Sequence, residues 1–110
     1  MPHTPAHKYS CRSAGLLRRI RQEQAAIADH SEFFQNIEVQ LPKDFDGDEN
    51  VSFRDVLNDK VPHARLKVHG KVTAKAKVAL MVADAEGEIS EHRQVVRDCT
   101  LKLRKMGVKV

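Results

Sequence analysis

From Leu66 to Val82 every even position is Leu, Val, Ala or Gly, while the odd positions from 65 to 77 read Arg65, Lys67, His69, Lys71, Thr73, Lys75 and Lys77. A period of two sends the apolar set to one face of an extended chain and the charged set to the other, so this stretch predicts strand. Its seventeen residues exceed the usual strand of about 5–6. A bend, bulge or hairpin is therefore expected at Gly70 or Thr73. Asp84-Ala85-Glu86-Gly87 then reads as a turn.

Other elements are set by local pattern. Leu16, Leu17, Ile20 and Ile27 recur at helical spacing from Ser13 onward, supported by Ala25, Ala26 and Ala28. Residues 1–9 carry two prolines and no apolar period, and read as a flexible tail before a single domain over 10–110. Ile37, Val39 and Leu41 alternate with Glu38 and Gln40, which predicts a short strand over 36–41, stopped by Pro42. Ser52 with Asp55 three residues later resembles a capping box opening a short helix, with Phe53, Val56 and Leu57 turned inward. A last helix is expected over 90–106, with His92, Val95, Val96, Cys99, Leu103 and Met106 on one face and Gly107 as its stop. The fold class is α+β: a small, largely antiparallel sheet packed against an N-terminal and a C-terminal helix, with a short middle helix.

The core must come from small and branched side chains, since there is no Trp, one Tyr and four Phe. No apolar run approaches the ~20 residues of a membrane span and no signal-peptide pattern opens the chain, so a membrane partner is not expected. Cys11 and Cys99 form neither a disulfide framework nor a zinc cluster, which points to a reducing, cytoplasmic setting.

Charge is segregated. Residues 36–60 carry three bases and seven acids, whereas residues 61–82 carry five bases and no acid. Arg65, Lys67, His69, Lys71, Lys75 and Lys77 are thus expected to form a basic ridge on one strand face. Their side chains would project about 7 Å apart, a spacing suited to a run of phosphates. Arg18, Arg19 and Arg21, with Arg12, would extend it if the first helix packs alongside. No aromatic stands among these bases to stack on nucleobases, so contact with RNA or DNA would be salt-sensitive and of low sequence specificity. The same lysines on a plain solvated strand would simply keep its edge from pairing.

Residues 44–55 carry Asp44, Asp46 and Asp48 at alternate positions, then Asn50, Val51, Ser52 and Asp55. This run resembles the twelve-residue calcium loop of the EF-hand family. That resemblance implies Ca²⁺ ligands at Asp44, Asp46, Asp48, Asn50 and Asp55. Glu49 stands where the family has glycine, Asp55 replaces its longer Glu, and the segment before the loop alternates like a strand. Residues 82–93 offer a weaker second loop with only Asp84 and Glu86 as acids.

No Walker loop, G-x-S-x-G, C-x-x-C or H-E-x-x-H is present, and His92 with Cys99 reads as packed core rather than a nucleophile pair, so no enzyme is expected. The leading expectation is a small non-catalytic binding or regulatory module whose basic strand face meets a polyanion, most simply RNA or DNA. The alternatives are a protein-interaction or self-assembling module and a calcium-responsive one.

Overall fold

A computed structural model describes residues 5–47 and 49–109, with side chains from Arg12 onward. The elements run α1 (Pro5–Gln35), β1 (Ile37–Gln40), α2 (Phe53–Leu57), β2 (Arg65–Val68), β3 (Lys71–Thr73) and α3 (Lys75–Lys105). The architecture is α+β, with one antiparallel three-stranded sheet in the order β1-β2-β3. Two compact units are distinguished, one of residues 30–86 and one of residues 1–29 with 87–110. Among the described residues no helix is long and apolar enough to cross a membrane.

The sheet unit holds the short strands and α2. Ile37 pairs with Val68 and Val39 with Leu66 across β1 and β2, so the even residues of β2 share a face with the odd residues of β1. That face is closed by α2 and the start of α3: Val56 and Val78 are fully buried, Leu66 is 1% exposed, and Val82 joins them. The capping box of α2 forms in full. Ser52 Oγ accepts from the Asp55 N–H at 3.2 Å and Asp55 Oδ2 accepts from the Ser52 N–H at 3.2 Å. Phe34 stacks on Phe53 at 6.0 Å, and the Arg54 guanidinium lies over both rings while reaching Glu86 at 3.4 Å.

The period-two run is interrupted at Gly70, one of the two positions expected, and the interruption redirects the side chains of β3. His69 (φ 50) and Gly70 (φ 77) form a two-residue loop with both φ values positive, as a type I′ hairpin turn requires. Such a loop pairs residue i with i+3, here Val68 with Lys71, and the ladder continues with Lys67 opposite Val72. Directly paired residues share a face, so parity inverts: Val72 moves outward, 57% exposed, and Lys71 moves to the face of Val68.

Beyond Thr73 the expected strand does not continue. Lys75 opens a 31-residue helix that absorbs the turn expected at 84–87 and begins fifteen residues before the expected start at Ser90. Ala76, Ala79, Leu80, Met81, Ala83 and Ala85 are strong helix formers. Val78, Val82, Ala85 and Ile89 are buried at the steps of three and four that a helix stripe demands, and the stripe passes through half-buried His92 and Val96 to buried Cys99 and Leu103, while Leu80, which alternation would bury, is 68% exposed. Gly107 (φ 81) ends the helix as expected: the Val108 N–H reaches the Leu103 carbonyl at 2.9 Å and the Gly107 N–H the Arg104 carbonyl at 3.0 Å, a Schellman cap. At the other end of the chain, α1 begins at Pro5, inside the segment read as a tail.

The two halves of the alternating run should respond differently to truncation. Leu66→Ala is expected to cost about 2–5 kcal/mol through cavity formation, whereas Leu80→Ala should stay within about 0.5 kcal/mol. Urea unfolding of the two variants measures both; equal losses would restore the strand reading.

Candidate functional site: an arginine face on the helical unit

The expected basic ridge is dispersed. Arg65 and Lys67 lie on the outer face of β2, where Gln40 and Glu38 stand directly opposite them on β1. His69 sits in the turn, and Lys71 is on the opposite sheet face because parity inverts at the hairpin. Lys75 and Lys77 belong to α3, and Lys75 Nζ pairs with Asp59 at 3.3 Å. These residues do not form one row.

The acidic loop is equally altered in context. Asp44 and Asp46 are exposed, Asp48 lies outside the described residues, and Asn50 precedes the helix cap. Asp55 already uses a carboxylate oxygen in the capping box, and the element entering the loop is the strand β1 rather than an EF-hand helix. The second loop at 82–93 is corrected outright, because those residues are interior to α3.

Basic charge resides elsewhere. Residues 1–29 with 87–110 carry eleven Lys and Arg against five Asp and Glu, a net of +6, while residues 30–86 carry eight against ten, a net of −2. In the helical unit α1 and α3 run antiparallel. Leu16 and Ile20 share an apolar cluster with Cys99 and Leu103, and Glu23, further along α1, meets His92, further back on α3. One flank of this pair opens as a groove of about 530 Å³ lined by Arg18, Arg19 and Gln22 from α1 and by Val95, Asp98 and Lys102 from α3.

The other flank is defined by helical geometry. With 3.6 residues per turn, Arg93, Arg97 and Arg104 fall within about 40° of one another, on the side of α3 away from the groove. Arg21 occupies the matching flank of α1. All four are exposed, and none makes an ion pair among the described residues. Ala14, Leu17, Gln24 and Ala28 on α1 and Ser90 and Thr100 on α3 complete the flank; the next positions along the same stripes are Glu32 on α1 and Glu86, engaged by Arg54, on α3. Of the arginines expected to bind polyanion, Arg21 is therefore placed on this face. Arg18 and Arg19 border the groove, with Arg19 held by Glu23.

Sequence reading missed Arg93, Arg97 and Arg104. The signal was their helical spacing, obscured by counting residues 83–110 as one block in which five acids offset six bases. It also missed Glu23, a carboxylate in register with Leu16, Ile20 and Ile27 on the inward stripe. Glu23 is only 8% exposed. Its Oε1 accepts from Arg19 Nε at 2.8 Å and its Oε2 contacts His92 Nδ1, while His92 Nε2 lies 3.9 Å from Glu88. The His92 hydrogen bond, followed by that of Arg19, holds the Glu23 carboxyl below the ordinary glutamate value, against the opposing effect of burial. Comparison of the chain with protein families, with curated proteins and with solved structures finds no match.

Because the folded state lowers this pKa, Glu23 contributes stability that is fully present above the unfolded value, near 4.5, and is lost as pH falls through the lower folded value. Thermal melts between pH 6 and pH 3 (taken as about one unit or more either side of the ordinary glutamate pKa) should show this loss, and Glu23→Gln should remove that part of the slope. An identical slope in the variant would assign the acid sensitivity to other carboxylates.

Proposed function

We propose that this protein is a small non-catalytic module that binds nucleic acid through its phosphate backbone, with the arginine face of the helical unit as the contact surface. The observation that carries the reading is the alignment of Arg21, Arg93, Arg97 and Arg104, none of them in an ion pair among the described residues, on one flank of a unit of net charge +6. Arginine suits this role better than lysine, since its planar fork donates two hydrogen bonds to one phosphate and stays charged at every relevant pH. Arg93 to Arg104 spans about 16 Å of helix, so several phosphates are met at once.

Affinity on such a surface comes from neutralising phosphates and releasing their counterions. No Phe, Tyr or Trp stands on the described flank to stack on bases, and its uncharged members are mostly small. Binding is accordingly expected to be tolerant of sequence and steeply dependent on salt. The sheet unit, with net charge −2, adds no comparable attraction.

Binding to a duplex oligonucleotide, followed by fluorescence anisotropy across a salt series, is the test. Four phosphate contacts give a slope of log K against log salt of about −3.6, and each arginine removed should lower it by about one unit. Arg93→Glu with Arg97→Glu should abolish binding, while Lys67→Glu with Lys71→Glu leaves it largely intact. Loss in the second pair and retention in the first would return the contact to the sheet.

A further inference from the structure

A second cationic feature lies in the sheet unit, separate from the arginine face. A pocket of about 340 Å³ is lined by Gln40, Leu41, Pro42, Lys43, His63 and Arg65. Gln40 and Arg65 are directly paired across β1 and β2, so the strand register sets these two side by side. Lys43 follows the Pro42 that ends β1, and His63 precedes β2, so two chain segments converge at this end of the sheet.

Three properties go together there. The polar lining is all donor-rich: a guanidinium, an ammonium, an imidazole and an amide. No carboxylate belongs to it, although Asp44 and Asp46 follow Lys43 in the chain. Lys43, His63 and Arg65 are exposed and make no ion pair among the described residues. His63 holds a left-handed turn backbone, φ 67, as Asp59 and His69 also do, and this turn brings its ring to the pocket.

We propose that this pocket binds a phosphate group, as a phosphomonoester. A carboxylate is satisfied by one arginine fork, whereas a tetrahedral phosphate has enough oxygens to engage donors arriving from several sides. The volume exceeds that of a bare ion and falls at the lower end of small-ligand sites, leaving the apolar wall of Leu41 and Pro42 for a small organic group. This inference is independent of the arginine face.

Amide NMR of the labelled full chain, titrated with inorganic phosphate and separately with glycerol 3-phosphate at constant ionic strength, is the test. Saturable shifts confined to residues 40, 41, 43 and 63–65 are expected. Arg65→Gln and His63→Gly should each weaken binding about tenfold or more, the effect of losing a hydrogen bond to a charged group. Lys67→Gln, on the neighbouring outer strand position, should not. Tighter binding of glycerol 3-phosphate supports a phosphomonoester, and equal binding supports recognition of the phosphate alone. Shifts that do not saturate, or that persist unchanged in Arg65→Gln and Lys43→Gln with their spectra showing folded protein, overturn the proposal.

Discussion

The hairpin at His69–Gly70 governs the sheet unit. A two-residue loop closes only by pairing residues three apart, which puts an even residue opposite an odd one. One face of a strand is selected by parity, so this closure reassigns every side chain of β3. Val72 faces outward for this reason, and Lys67 and Lys71 lie on opposite sides of the sheet. The alternative, keeping Lys71 beside Lys67, needs a loop with an odd residue count and would leave Leu66 and Val68 without their present partners. The fully buried Val56 and Val78 close over the side that remains apolar.

The helical unit depends on a different interaction. Glu23 occupies an inward position among Leu16, Ile20 and Ile27, where an uncompensated carboxylate would be costly. Arg19 from its own helix and His92 from the facing one compensate it, and among the described residues no buried side-chain nitrogen or oxygen lacks a partner. An apolar residue would pack at least as favourably, but it would accept more than one register. A charge matched by a histidine at one height of the facing helix favours a single register, the best-attested use of buried polar pairs.

These two constraints also settle which cationic side chains share a face. In the sheet unit, bases and acids are interleaved, with Glu38 opposite Lys67 and Asp59 on Lys75. The pocket lining around Arg65 holds no carboxylate. In the helical unit, acids fall on the groove side or in the interface, as Asp98 and Glu23 do, and the opposite flank is left to arginine. The proposed phosphate-backbone surface and the proposed anion pocket are therefore compatible with one chain of modest net charge.

Much of the fold was legible locally. The capping box at Ser52 and Asp55, the strand around Ile37, the break at Gly70 and the glycine stop at Gly107 each depend on a few neighbouring residues whose own chemistry dictates the backbone. The helix from Lys75 was hidden because Ala76, Val78, Leu80 and Val82 continue the period of two begun in β2, while over so short a span only Val78 and Val82 mark the helical period. Only contact with the rest of the chain decides, by burying Val78 and Val82 on one stripe and leaving Leu80 in solvent. The candidate surfaces were less legible still. Sequence alone determined how many charges there are and which lie near one another along the chain. Tertiary structure decided which share a face, because that depends on hairpin parity and on antiparallel helix pairing, both of which join residues far apart in the chain.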